Sequence, residues 1–180
     1  MKEDSSNVEC ESDESRCEEM ADPARLEQAE FYFKEGYRFQ MNGDLEGAIA
    51  AYTRSIEMYP TAEAHTFLGW AYSFQGRIDE AIKECETAIH IDPDFGNPYN
   101  DIGVYLIEKG EYDEAIPWLQ KAMAAKRYEP RHYPYMNMGR VLVRKGRYQE
   151  AIKELKMALT IEPNYPAARI ELHKLLGMLN

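Results

Sequence analysis

No stretch of this chain approaches the roughly 20 consecutive apolar residues that a membrane-spanning helix needs. Residues 1–22 are acidic and lack the apolar core of a secretory signal, so a cytosolic protein is expected. Cysteine is scarce, with Cys10, Cys17 and Cys85 the only three in 180 residues. An odd number, two of them in one acidic segment, supports no disulfide framework. Cys10 and Cys17 also lack the Cys-x-x-Cys spacing and the histidine partners of a zinc site. The four histidines, His65, His90, His132 and His173, are not spaced as a metal pair on one helix. Glycine-rich phosphate loops followed by Lys-Ser or Lys-Thr are missing, and so is Gly-x-Ser-x-Gly. No cofactor is therefore expected, and an enzyme reading has no residues to rest on. Basic excess is lacking too, since the net charge is −11. Residues 1–22 hold nine acids and two bases, a net of −7, against 23 acids and 19 bases in the remaining 158 residues. Such a chain repels phosphates and anionic surfaces, which argues against nucleic-acid and membrane partners.

What is present is periodic. Hydrophobic residues make up 44% of the chain, enough for a core, and fixed-period repeats organise them. Gly36, Gly69, Gly103 and Gly139 recur at intervals of 33, 34 and 36 residues. Gly43, Gly76, Gly110 and Gly146 follow each of these by seven, and Ala48, Ala81, Ala115 and Ala151 follow by a further five. Pro60, Pro93, Pro130 and Pro163 close the units. Each unit reads as two helices. The first glycine and the alanine let those helices approach closely, and the second glycine supplies the backbone geometry that ends the first helix. Asp44, Asp79 and Asp113 suit the start of the second helix. Cys85 takes the packing position of Tyr52, Leu119 and Leu155, so a buried structural thiol is expected there.

This spacing resembles the tetratricopeptide repeat (TPR): an aromatic, Leu-Gly, an aromatic, Ala, an aromatic, Ala and Pro over about 34 residues. The resemblance implies an all-α, right-handed α-solenoid of four helix pairs with repeats at 29–61, 62–95, 96–131 and 132–165. The TPR domain then spans 23–180, with a capping helix at 166–179 carrying Ile170, Leu172, Leu175, Leu176 and Leu179. Asp22-Pro23 reads as a cap and first residue of the opening helix. Residues 1–22 have the composition of a disordered acidic tail. Some positions depart from the pattern. Glu35 replaces the leucine before the first glycine, and Ser55 replaces the small residue of the first repeat. The third repeat has three extra residues between Ala122 and Pro130, which predict a longer helix or a bulged turn. Pro117 falls one turn into its helix.

TPR arrays use their first helices to line a concave face. The resemblance places Phe33, Tyr37, Phe67, Trp70 and Phe74 in that groove, followed by Asn100, Tyr133, Asn137, Arg140 and Arg144. An aromatic stretch exposed in a groove gains nothing unless something covers it, though some of these rings could pack against neighbouring repeats instead. Asn100 and Asn137 could hold a peptide backbone. Arg140 and Arg144, four apart, could hold a carboxylate or phosphate, or pair with Glu108. The expected role is a protein-interaction adaptor that takes a peptide or helix of a partner protein and is itself a monomer or weak homo-oligomer. A self-assembling structural protein and a regulatory subunit of an enzyme complex are the alternatives. The co-chaperone clamp for a chaperone C-terminal tail needs lysine, asparagine and arginine at set groove positions. One frame here holds Phe33, Tyr37, Phe67, Asn97 and Asp101, and the other holds Thr66, Trp70, Asp101, Tyr133 and Asn137. Neither matches.

Overall fold

The computed structural model describes residues 22–179. Cys10, Cys17 and all of the expected disordered tail except Asp22 lie outside the described residues. Among the described residues the chain forms α1 (Pro23–Met41), α2 (Leu45–Met58), α3 (Ala62–Phe74), α4 (Ile78–Ile91), α5 (Asn97–Lys109), α6 (Tyr112–Ala124), α7 (Tyr133–Arg144), α8 (Tyr148–Ile161) and α9 (Pro166–Leu179). The one β feature there is an isolated bridge between Phe95 and Arg127.

Local chemistry sets the helix ends. The Asp22 carboxylate accepts a hydrogen bond from the Ala24 N–H at 3.0 Å, and Pro23 occupies the first helical position. The four turns within pairs are alike. Gly43, Gly76, Gly110 and Gly146 have φ between 71° and 81°. In each turn the glycine N–H bonds back to the carbonyl three residues earlier, and the next N–H bonds five residues back. Gly43 to Gln40 (3.0 Å) and Asp44 to Phe39 (3.0 Å) show the pattern. This Schellman closure satisfies carbonyls that a helix end otherwise orphans. Asp44 then caps α2, accepting from the Gly47 N–H at 2.9 Å. Asp79 and Asp113 do not cap; they lie in the first turns of α4 and α6, where a negative charge favours the helix dipole.

Packing explains the remaining small residues. A methyl group at Gly36 would meet the Tyr52 ring at 2.6 Å, and one at Gly103 would meet Leu119 at 2.6 Å. At Gly139 it would meet Leu155 at 2.8 Å, and at Gly69 the Ala81 carbonyl at 2.9 Å. Tyr52, Cys85, Leu119 and Leu155 are accordingly fully buried. Ser55 fits the first repeat because its hydroxyl donates to the Ala29 carbonyl at 2.8 Å.

Each odd-numbered helix packs on the even-numbered helix that follows it, and each even one on the next odd one. Odd helices also touch their odd neighbours, α1 on α3 through α7 on α9, whereas no two even helices meet. The array therefore curves with odd helices on its inner face. The extra residues of the third repeat do not lengthen α6. They form the loop 125–132, which contains the cis Glu129–Pro130 bond. Gly96 N–H donates to the Arg127 carbonyl (2.8 Å) and Arg127 N–H to the Asp94 carbonyl (3.0 Å), tying this loop to the one before α5. In α9, Leu172 and Leu175 face the core, but Ile170, Leu176 and Leu179 are exposed.

Candidate functional site

The inner face is where the odd helices expose what their packing does not use. Helix α3 places Phe67 and Trp70 three residues apart, close to one face of a 3.6-residue turn. A run of ring contacts follows. Tyr37 meets Phe67 with ring centroids 5.9 Å apart, Phe67 meets Trp70 at 5.7 Å, and Trp70 meets Phe74 at 5.4 Å. Phe33 meets Phe67 at 5.1 Å, and both pack against the core formed with Tyr52. Phe33 and Phe67 thus spend much of their area on the fold. Tyr37 remains 46% exposed and Phe74 59% exposed, so the apolar surface facing solvent is theirs and part of Trp70's.

A cavity of about 410 Å³ opens on this face. It gathers five of the expected groove residues, Phe67, Trp70, Asn100, Tyr133 and Asn137, from α3, α5 and α7. The two asparagines are not available in the way the sequence suggests. Both are buried; Asn137 Nδ2 donates to Asn100 Oδ1 at 2.9 Å, and Asn100 Nδ2 donates to Asp101 Oδ1 at 3.3 Å. Arg140 and Arg144 lie outside this cavity, lining a separate hollow with Val143 and Glu171 of α9. Both are exposed and neither is ion-paired, to Glu108 or to any other acid, among the described residues. Phe33 borders a third hollow, between α1 and the end of α2.

Electrostatically the cavity centres on Asp101. Burial pushes its carboxyl up to about 7, offset in part by the Asn100 amide. Burial first, and the Asp101 charge second, also raise Tyr105, Tyr128 and Cys85. The Cys85 thiol is thereby kept protonated, the opposite of what a nucleophile needs.

Two family profiles, each described as tetratricopeptide repeat, match residues 33–94 and 94–164. The chain belongs to the TPR family. Small glutamine-rich tetratricopeptide repeat-containing protein 2 of Saccharomyces cerevisiae is 32% identical over 123 residues, 68% of this chain and 34% of that protein. Its namesake in Mycosarcoma maydis is 34% identical over 99 residues, 54% of this chain and 28% of that protein. The chain thus spans about a third or less of these two curated relatives. The Photosystem I assembly protein Ycf3 of Prochlorococcus marinus is 28% identical, covering 55% of this chain and 64% of its own. Among solved structures, PilF of Pseudomonas aeruginosa superposes with a TM-score of 0.81 at 24% identity, over 86% of this chain and 70% of its own. That likeness shows the fold. No helix of the described residues is long and apolar enough to cross a membrane.

The TPR pattern also tells which cavity residues it could not supply. Asp101 stands at a groove position in the sequence, yet nothing there reveals that no cation accompanies it. Tyr128 and Pro130 come from the loop 125–132, outside the helical register. The sequence shows Pro130 as the closing residue of the third unit, but its only trace of Tyr128 is the three-residue excess of that repeat.

Proposed function

We propose that this TPR domain is an adaptor whose concave groove holds a segment of another protein, extended or helical. The observation that carries this reading is the convergence of Phe67, Trp70, Tyr133 and the Asn100–Asn137 pair on one inner-face cavity, with Tyr37 and Phe74 extending it as exposed apolar surface. A concave, largely apolar site with a few fixed polar groups is the general form of a binding pocket, and half-buried Trp and Tyr are the usual anchors of an interface. On this reading Tyr37, Trp70 and Phe74 carry the affinity, and Arg140 and Arg144 orient the segment by pairing with an acid. The Prochlorococcus marinus relative is a Photosystem I assembly protein, which agrees with such a role. Asp101 sits among the groove positions that a chaperone-tail clamp fills with cations, so we take a C-terminal carboxylate to be the wrong ligand.

The competing reading is self-association through the outward side of α9, where Ile170 is 53% and Met178 69% exposed. Mass in solution at micromolar concentration distinguishes the two. The groove itself is tested by affinity capture of partners, followed by calorimetric titration with wild type and Trp70→Ala. The variant is expected to bind more weakly by about 2–4 kcal/mol, the scale of a truncated anchor. Equal affinity in the two proteins removes the concave groove as the binding surface.

A further inference from the structure

The groove reading leaves one feature unexplained, the carboxylate in its main cavity. Asp101 has Asn100 as its hydrogen-bond partner and takes part in no ion pair among the described residues. Cations are not far away. The loop that brings Tyr128 and Pro130 to the cavity also carries Lys126, Arg127 and Arg131. Each is engaged elsewhere. Lys126 pairs with Asp94 at 2.9 Å, Arg127 pairs with Glu63 at 2.6 Å and with Asp92, and Arg131 donates to the Lys126 carbonyl at 2.8 Å. A partly desolvated carboxylate without a counter-ion is costly.

The other polar groups that line the cavity are neutral. Thr66 Oγ1 donates to the Ala62 carbonyl at 2.7 Å, and one N–H each of Asn137 and Asn100 goes to Asn100 Oδ1 and Asp101 Oδ1. The Asp101 oxygens keep acceptor capacity, and Asp101 is the one charged residue of the lining. A cationic donor complements that charge. The rings of Phe67, Trp70, Tyr128 and Tyr133 also line the space, and aromatic faces attract cations. One carboxylate among rings is too few hard oxygens for a calcium or magnesium ion. We infer that the cavity holding Asp101 among Trp70, Tyr128 and Tyr133 receives a cationic side chain, lysine or arginine, of the partner segment. The inference rests on the groove reading and adds the chemistry of the partner. Along the inner face, the segment then presents apolar groups to α1 and α3, a base to Asp101 and an acid to Arg140 and Arg144.

The interaction carries a pH dependence. With the Asp101 carboxyl near 7, its charge is present above neutrality and lost below it. The groups facing it are Cys85 from α4, Tyr105 from its own helix and Tyr128 from the loop, all held protonated by burial, with Thr66, Phe67 and Trp70 from α3 and Tyr133 and Asn137 from α7. His132 stacks on Tyr133 with centroids 4.4 Å apart and is the imidazole to control for.

The test uses the full chain and pools of blocked twelve-residue peptides. The central residue is fixed as Lys, Arg, norleucine or Glu, and the others are randomised. At pH 8 the Lys or Arg pool is expected to bind about ten-fold more tightly than the norleucine pool, within the range of a desolvated cation–aromatic and ion-pair contact. At pH 6 that preference is expected to shrink about ten-fold, as protonation of a group near 7 requires. Asp101→Asn, which keeps shape and retains His132, is expected to abolish both the preference and its pH dependence. Equal binding of the norleucine pool, failure of the Lys and Arg pools to bind, or a preference that survives Asp101→Asn overturns the inference. Where binding without a basic preference is lost in Trp70→Ala, the groove stands and only the cation site falls. Where Trp70→Ala leaves binding unchanged, the groove itself falls.

Discussion

Asp101 sets function against stability within a single residue. Its carboxyl is raised in the folded chain from the ordinary value of 3.8 to about 7. Between about pH 4 and 7 the folded chain therefore holds a proton that the unfolded chain has released. The associated stability is complete below about pH 4 and lost as pH rises through 7. Asp101→Asn removes this dependence. Its stability relative to wild type is expected to grow with pH and level off above pH 8, at about 2–4 kcal/mol. Urea unfolding of both proteins at pH 5 and pH 8 reads the difference; an equal gap at the two values contradicts it. Carboxylates held low by neighbouring arginines, Glu80, Asp92 and Glu150, have the opposite sign but are common to both proteins and cancel. A residue that weakens the fold at neutral pH is understandable where a partner's charge offsets it. The sequence exposes such residues unevenly. Gly36, Gly103 and Gly139 announce their role by spacing alone, because a close helix contact tolerates little else. Asn100 and Asn137 sit at readable groove positions, but their mutual hydrogen bond joins residues 37 apart, and no local pattern specifies it.

At the scale of elements, the helices and their turns were legible because each obeys a local rule: a period of 3.6, a left-handed glycine, a cap. The loop 125–132 obeys none, and it supplies part of the cavity. Arg127 holds it. The guanidinium donates to Asp92 at 3.0 Å through Nε and to Glu63 at 2.6 Å, and lies 4.2 Å from the centre of the Phe95 ring. Exposed ion pairs contribute little one at a time. Here one side chain joins the loop to α3 and to the connection before α5. Arg127→Ala is expected to cost the whole fold about 1 kcal/mol and to loosen the loop selectively. Amide exchange at Gly96, whose N–H bonds the Arg127 carbonyl, is expected to accelerate roughly five-fold at that cost. Acceleration confined to other amides would show that the backbone bridge holds without the side chain. Affinity for the basic peptide pools is expected to fall as well, since Tyr128 stands on the loosened segment.

Across the whole molecule, a stacked array spreads its stability over neighbouring contacts, so what each end covers decides what its loss costs. Helix α9 touches only α7 and α8. It buries Ala168, Leu172 and Leu175 on a core that runs without interruption from Ala81 through Leu155. Removing residues 166–180 withdraws two leucines from that core and bares the face they cover. At about 1.5–3 kcal/mol for each buried leucine, the two together contribute about 3–6 kcal/mol, and a loss at the lower end of that range, on the order of 3 kcal/mol, is expected. At roughly 2–4 °C per kcal/mol for a domain of this size, the melting midpoint is expected to drop by about 10 °C. The acidic segment at the other end has no apolar periodicity with which to repay ordering. A chain starting at Asp22 keeps the cap of α1 and is expected to melt within about 4 °C of the full chain. What residues 1–21 do hold is charge, −6 of the total −11. Its carboxylates are candidates to compete for Arg140 and Arg144, which have no acid partner among the described residues. Deleting residues 1–21 is then expected to tighten binding of a partner segment at low salt and to change it little at high salt, where the Debye length falls to about 3 Å near 1 M. Calorimetric titration of one captured partner at two salt concentrations, with the full and shortened chains, measures this. A gain that is the same at both concentrations, or a midpoint that falls with the segment, assigns residues 1–21 a part in the fold rather than in its electrostatics.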